Sequence, residues 1–196
     1  METGKVEKIC RFCQHLSTLY RGPDNTLCKN EAKEFVFIPS YKEYIYRVLD
    51  LFNHLNITKE SKIIDLGCGI SPLLLYLASE KYKNLYGIDN ESNLVCLLNR
   101  FSSDISDEPT EINTRNGDLL KLDQKSSEWI KEVDFIYLYM PIKDKTLYKS
   151  MIKSVFDLMK PGAVIIDYYG PIGETLKANK KSQSTDGVFA IQYYQK

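Results

Sequence analysis

The run from Lys62 to Ser71 constrains the fold more than any other part of the sequence. Ile63, Ile64 and Leu66 in its first half are apolar and mostly β-branched, which is typical of a strand covered on both faces. Gly67 and Gly69 follow, and glycine lets a chain turn sharply and lets a ligand approach the backbone. Ser71 and Pro72 suit the cap and the first turn of a helix. This order of strand, glycine turn and helix predicts the first unit of a nucleotide-type α/β fold, with a ligand at the carboxyl end of the strand.

The loop departs from a dinucleotide-binding motif in a way that indicates a different ligand. The third glycine of G-x-G-x-x-G is replaced by Pro72, which has no backbone N–H to offer a pyrophosphate. Asp65, at the end of the strand, suits a cation better than a bisphosphate. From Asp65 onward the loop resembles motif I of the class I S-adenosylmethionine (SAM) methyltransferases, with Ser71 in place of the last glycine. That resemblance implies SAM as the cofactor and places four residues of the loop beside it, namely Asp65, Gly67, Cys68 and Gly69.

Acidic residues also follow the next two predicted strands. Asp89 ends the strand over residues 84–89, roughly twenty residues past the glycines, where an acid accepts both ribose hydroxyls. Asp89 could instead cap a helix predicted over residues 91–101. Asp118 follows a strand over residues 111–115, and the resemblance implies that it binds the adenine amino group. The predicted cofactor contacts at these two turns are Asp89, Asn90, Asp118 and Leu119.

Further landmarks extend the resemblance over roughly residues 60–170. A fourth strand and its exit over residues 134–141, and a Lys-Pro-Gly loop before a fifth strand, both follow the family order. Residues 188–194 form a last strand, and residues 175–181 are expected to pair with it as a hairpin. The predicted fold class is therefore α/β: a Rossmann-like, mostly parallel sheet with helices on both faces and a C-terminal antiparallel edge strand.

The N-terminal residues 1–34 are expected to form an appendage to a methyltransferase domain over residues 35–196. Cys10, Cys13 and Cys28 resemble the zinc-binding head of some rRNA guanine methyltransferases. Tetrahedral zinc needs four ligands, and His15 completes the set only with unusual local geometry. The alternative is an N-terminal helix without metal, whose apolar face carries Ile9, Phe12, Cys13 and Leu16.

The exit of the fourth strand is the usual place for contacts to the methyl acceptor. Nucleic-acid amino methyltransferases carry [DNS]-P-P-[YFW] there, whereas this chain has a single proline, Pro141, after Tyr139 and Met140. Base methylation is therefore not favoured. Tyr139 either positions the acceptor or packs beside the adenine. Residues 38–40 also resemble a segment of small prokaryotic and mitochondrial lysine methyltransferases, whose glycine loop differs from the one here.

Composition narrows the possible partners. The 196 residues carry 26 basic and 26 acidic side chains, and this zero net charge does not indicate a broad nucleic-acid footprint. No apolar run approaches the roughly 20 residues of a membrane span. Five cysteines, with Cys68 and Cys96 expected in the core, indicate a reducing, cytoplasmic compartment. We expect a SAM-dependent methyltransferase acting on a protein side chain or a small molecule. The alternatives are a SAM-binding partner protein without catalysis, an RNA methyltransferase with a zinc-bearing head and an NAD(P)-linked oxidoreductase.

Overall fold

A computed structural model describes residues 3–20, 42–104, 110–139, 141–167, 172–176, 180–185 and 189–196. Helices and strands alternate along most of the chain, as a Rossmann-like fold requires. The helices are α1 (Thr3–Tyr20), α2 (Lys42–Leu55), α3 (Pro72–Ser79), α4 (Ser92–Asp104), α5 (Gln124–Glu132), α6 (Lys145–Leu158) and α7 (Ile172–Thr175). The strands are β1 (Lys62–Leu66), β2 (Asn84–Asp89), β3 (Ile112–Asn116), β4 (Phe135–Leu138), β5 (Val164–Asp167), β6 (Lys180–Thr185) and β7 (Phe189–Gln195).

The seven strands form one sheet in the order β3-β2-β1-β4-β5-β7-β6. Neighbours among β1 to β5 are parallel, whereas β7 is antiparallel to both β5 and β6. This arrangement confirms the predicted fold class. Strand β1 has a parallel neighbour on each side, and its register sets Asp65 opposite Gly87 of β2 and Tyr137 of β4. The carboxyl ends of β1, β2 and β4 therefore meet at one edge of the sheet.

Alternate side chains of the sheet enter two separate cores. Ile63 belongs to a cluster built with α1, α2, α3 and α4, whereas Ile64 and Leu66 belong to a cluster built with α5, α6 and α7. Because successive side chains of a strand point to opposite faces, Asp65 lies on the same face as Ile63. The side chain of Asp65 is thus covered by the layer that contains α3, the helix that follows the glycine loop.

Helix α1 packs directly into the first of these cores. Val6, Ile9, Cys10 and Cys13 are buried there. Lys5 donates to Glu80 at 2.7 Å, and Lys42 of α2 donates to Glu7 at 3.0 Å. The helix of the predicted appendage therefore shares one core with the predicted methyltransferase domain. The proposed boundary at residue 34 stays a prediction, because that residue lies outside the described part.

The predicted zinc ligands Cys10 and Cys13 lie on the buried face of α1, where burial raises the pKa of the Cys10 thiol to about 12. Zinc binds the thiolate, so this apolar setting opposes metal binding by these two residues. Cys28 lies outside the described residues. Within the described part of the chain, no group of three histidine, cysteine or acidic side chains is arranged to hold a metal ion.

Two details differ from the sequence predictions. The first strand of the C-terminal hairpin is Lys180–Thr185, so it occupies residues expected to form the connection. Cys96, expected in the core, is exposed on α4, because the buried face of that helix is formed by Val95 and Leu98. Among the helices described, none combines the length and hydrophobicity of a membrane span.

Candidate functional site

The glycine loop after β1 needs glycine for both conformation and space. Gly67 and Gly69 have φ angles of 80° and 47°, a region that favours glycine. A Cβ atom on Gly67 would lie 2.6 Å from Cβ of Pro141, the proline that follows β4. The backbone N–H groups of Gly67 and Cys68 donate to the carbonyl of Ile88 at 2.8 and 3.1 Å. The loop is thereby fixed against β2 and brought into contact with the exit of β4.

Asp89 connects the end of β2 to this loop. Its Oδ2 accepts from the N–H of Gly69 at 2.8 Å, and its Oδ1 accepts from the N–H of Glu91 at 2.8 Å. Burial raises the pKa of Asp89, and these backbone bonds oppose that rise. The N–H of Asn90 also acts on this carboxylate. An ionised carboxylate has about four lone-pair positions, so Asp89 retains capacity to accept from a ligand, and that capacity suits the hydroxyl donors of a ribose.

Asp65 is a buried carboxyl group with one oxygen unsatisfied. Its Oδ2 accepts from the hydroxyl of Ser71 at 2.6 Å, whereas its Oδ1 has no hydrogen-bond partner in the described part of the chain. Burial raises the pKa of Asp65 to about 7, and the Ser71 hydrogen bond opposes this rise. Buried polar atoms in proteins almost always have a partner, so this oxygen marks the place of an absent donor. A cationic donor fits best, because the acceptor is a carboxylate.

The turn after β3 is attached to the end of β2. The N–H of Gly117 and the side-chain amide of Asn116 both donate to the carbonyl of Asp89, at 2.9 and 3.2 Å. Leu119 is buried and reaches within 4.0 Å of the position that a Cβ on Gly67 would occupy. Asp118 is exposed, and its Oδ1 caps the N–H of Leu120 at 2.8 Å. The structure therefore brings this turn, the glycine loop and the end of β2 together.

Two other predicted site residues differ in their surroundings. Tyr139, just past β4, is buried, and its ring lies 5.7 Å from the ring of Tyr44 on α2. It belongs to the same core cluster as Ile63 and therefore lies on the face of the sheet that carries Asp65. Asn90 is exposed next to Asp89. The ring packing of Tyr139 is compatible with either of its predicted roles, and both roles stay predictions.

Sequence reasoning predicted only part of the role of Ser71. Its hydroxyl oxygen accepts from the N–H of Leu74 at 3.1 Å, which confirms the predicted helix cap. The same hydroxyl also donates to Asp65, a contact that was not predicted. The sequence did offer a signal for this contact, because Ser71 can form a hydrogen bond and stands where motif I of the SAM methyltransferases has its last glycine. The contact between Pro141 and Gly67 was missed as well, because no local pattern relates residues so far apart.

A groove of about 610 Å³ lies elsewhere in the molecule, beside α5. Tyr86 and Trp129 form its aromatic part, with ring centroids 5.0 Å apart. Its charged lining includes an ion pair between Arg115 and Asp123. Because Tyr86 packs with the second core, this groove opens away from the face that carries Asp65. None of the predicted cofactor residues lines it.

Comparisons with known proteins identify the fold. No protein-family model and no curated protein matches the sequence. An RNA methyltransferase from Salinibacter ruber, solved with S-adenosyl-L-homocysteine, aligns at 19% identity over 81% of this chain and 93% of its own, with a TM-score of 0.60. The magnesium protoporphyrin IX methyltransferase from Synechocystis PCC 6803, also solved with S-adenosyl-L-homocysteine, aligns at 12% identity over 96% and 99%, with a TM-score of 0.61.

A SAM-dependent methyltransferase from Clostridium acetobutylicum ATCC 824 aligns at 18% identity over 88% of this chain and 65% of its own, with a TM-score of 0.54. The chain thus has the Rossmann-like fold of the class I SAM-dependent methyltransferases. At these identities the likeness is one of fold, and function has to be argued from the site.

Proposed function

We propose that the protein is a SAM-dependent methyltransferase. The observation that carries this proposal is the pair of buried carboxylates, Asp65 and Asp89, on either side of a glycine loop at the carboxyl edge of a parallel sheet. Ligands of open α/β sheets bind at this edge. Two of the similar solved structures contain S-adenosyl-L-homocysteine, which supports the same cofactor class.

The residues of the site suit the parts of SAM. Asp89 would accept the ribose hydroxyls on lone pairs that the bonds from Gly69 and Glu91 leave open. The unsatisfied Oδ1 of Asp65 would accept from the ammonium group of the methionine part. Asp118 and the N–H of Leu119 would contact the adenine. The remaining predicted contacts are Gly67, Cys68, Asn90 and Tyr139.

The pyrophosphate of NAD(P) fits this loop less well. A cradle for phosphate needs N–H donors, and here the N–H groups of Gly67 and Cys68 are bonded to Ile88 while that of Gly69 is bonded to Asp89. Pro72 offers no donor at all. Two acidic side chains would also repel a bisphosphate. An oxidoreductase is therefore the weaker candidate.

When bound, SAM supplies a methyl group on positively charged sulfur. A nucleophile would bond to the methyl carbon in line with the carbon–sulfur bond, and the sulfur would leave as a neutral thioether. The task of the chain is then to hold the cofactor in one orientation, to exclude water and to align the acceptor. Gly67 and Pro141 bring the loop and the exit of β4 into contact, so acceptor contacts at Tyr139 would lie beside the cofactor. A base is needed only for an acceptor that arrives protonated.

We propose a protein side chain or a small molecule as the acceptor. The zero net charge and the single proline after β4 support this choice. The solved neighbours act on different acceptors by their descriptions, an RNA in one case and magnesium protoporphyrin IX in another. A lysine acceptor, an RNA acceptor and a cytoplasmic location stay predictions from the sequence.

Transfer of a radiolabelled methyl group from SAM into fractionated cell extract tests the proposal. We expect label in the protein or the metabolite fraction, and label in RNA would revise the acceptor. Asp89→Ala is the matched control, because it removes the proposed ribose contact and should reduce the labelling when the SAM concentration is limiting. A wild-type protein that binds SAM and labels no fraction would support the second candidate, a SAM-binding partner without catalysis, which the departure at Ser71 leaves open.

A further inference from the structure

We infer that Ser71 is a positioning residue that makes cofactor uptake depend on the loss of a proton from Asp65. This inference rests on the proposed function, because it assigns the cofactor's ammonium group to Asp65. It concerns the one position where the glycine loop departs from the motif that it resembles. A serine there can donate a hydrogen bond to Asp65, which a glycine cannot do.

The hydrogen-bond directions around Ser71 are fixed by its neighbours. The N–H of Leu74 donates to Oγ at 3.1 Å, so the hydroxyl hydrogen is left to point at Asp65. The Oγ atom lies 2.6 Å from Oδ2 of Asp65, a distance typical of a hydroxyl bonded to a carboxylate. Because Oδ2 already accepts this hydrogen, Oδ1 is the favoured position for a proton on Asp65.

Oδ1 is the same oxygen that lacks a partner in the described part of the chain. A proton on Oδ1 removes the negative charge that attracts an ammonium group and occupies the oxygen that would accept from it, so the two compete. Uptake of the cofactor would transfer the proton from Oδ1 to solvent, and the ammonium group would take its place as the donor. No other bond forms or breaks in this exchange.

The surroundings of Asp65 make both protonation states accessible near neutral pH. Burial holds the pKa of the Asp65 carboxyl at about 7, and the like charge of Asp89 at the end of β2 adds to the rise. The other titratable neighbours are the Cys68 thiol, whose own pKa burial raises, and Tyr137, which lies opposite Asp65 in β4. Opposite Asp65 in β2 is Gly87, which has no side chain. Among the described residues, only Ser71 and the like charge of Asp89 act on the Asp65 carboxyl, and no cation does, so we assign the completing cation to the ligand.

The Ser71 hydroxyl sets the pH at which the exchange occurs, because its hydrogen bond favours the ionised form of Asp65. Below about pH 7 the affinity for the cofactor should rise about tenfold per pH unit, and above it the affinity should level off. Removing the hydroxyl should move this transition to higher pH and leave the affinity at high pH closer to that of the wild type.

Titration calorimetry with S-adenosyl-L-homocysteine from pH 5.5 to pH 8.5, in two buffers of different ionisation enthalpy, measures affinity and proton release together. We expect the wild type to release nearly one proton at the acidic end. Ser71→Ala should show the same release with its midpoint at a higher pH, and Ser71→Thr, which keeps the hydroxyl, should restore the wild-type midpoint. Asp65→Asn, which cannot ionise at this position, should bind more weakly than the wild type at high pH and should lose the proton release that the wild type shows.

A readout without ligand is the carboxyl carbon resonance of Asp65. Its titration should have a midpoint near 7 in the wild type and a higher one in Ser71→Ala. Equal midpoints in wild type and Ser71→Ala, with both proteins binding the ligand, would overturn this inference alone. Failure of the folded wild type to bind S-adenosyl-L-homocysteine at any pH would overturn the proposed function, and this inference with it.

Discussion

The ends of β1 and β2 and the end of β4 lie at the same edge of the sheet, yet they are held in different ways. At β1 and β2, side-chain carboxylates accept from backbone N–H groups and from a serine hydroxyl within a short stretch of sequence. At the end of β4, the contacts that define the geometry are packing contacts, between Tyr139 and Tyr44 and between Pro141 and Gly67.

This difference explains why the site specifies the cofactor more closely than the acceptor. Hydrogen bonds to fixed backbone groups orient a carboxylate closely, so the arrangement selects a ligand with matching donors. Packing contacts between aromatic rings have no such direction, so they are compatible with ligands of many shapes. The acceptor side of this fold therefore carries less chemical information than the cofactor side.

The largest expected effect concerns the pH dependence of stability on the cofactor side. The pKa of Asp65 is raised from 3.8 to about 7, so folding favours its neutral form. The contribution of Asp65 to the free energy of unfolding of the ligand-free protein should therefore be largest below pH 4 and should fall as the pH rises to 7. The difference is at most about 4 kcal/mol. Urea unfolding of wild type and Asp65→Asn across this range checks it, and equal slopes would contradict the burial argument.

The next effect tests the contact between the two sides. Gly67→Ala should lower the free energy of unfolding by roughly 2–4 kcal/mol, because it adds both backbone strain and a clash with Pro141. Gly162→Ala is the matched control, since Gly162 has a similar φ of 85° with open space around it. It should cost only about 1 kcal/mol. Chemical unfolding of both variants measures the difference, and equal losses would mean that the contact is unimportant.

Asp89→Ala should weaken binding of S-adenosyl-L-homocysteine by about 1–3 kcal/mol, because ribose hydroxyls would lose a charged acceptor. The change also frees the N–H of Gly69, so circular dichroism has to show that the variant is folded. Titration calorimetry gives the affinity. Asp123→Ala is the control, an acid at the start of α5 that pairs with Arg115 away from the loop. An unchanged affinity in folded Asp89→Ala would remove the ribose assignment.

Asp118→Ala should have the smallest effect, about 1 kcal/mol on the same affinity, because Asp118 is exposed and its hydrogen bond to an adenine would compete with water. The N–H of Leu119, which the change leaves in place, should keep part of the adenine contact. A loss larger than that of Asp89→Ala would reverse the order proposed for the two acids.

The fold was largely predictable because its signals are local. The alternation of apolar strands with helical stretches, the glycines at residues 67 and 69 and the acid at residue 89 each act over a few residues or at a known spacing. The boundaries of β6 were wrong because Lys180–Thr185 is polar and has no strand pattern of its own. The pairing with β7 determines where this strand begins and ends, and such pairing cannot be predicted from a local stretch of sequence.

The site was predictable only as a set of positions. That Asp65 and Asp89 lie near the loop followed from their place at strand ends, whereas the unsatisfied oxygen of Asp65 depends on packing from several elements. The clash that reserves residue 67 for glycine comes from Pro141, which is remote in sequence. Such facts arise from tertiary packing, and a single sequence does not show them.

The most direct test is the binding of S-adenosyl-L-homocysteine and of NAD to the wild-type protein, measured side by side by titration calorimetry at pH 8. The account predicts that S-adenosyl-L-homocysteine binds at one site per chain and that NAD does not bind, because Asp65 and Asp89 suit a ribose and an ammonium group and leave no cradle for a pyrophosphate. Binding of NAD, or no binding of S-adenosyl-L-homocysteine by the folded protein, would contradict it.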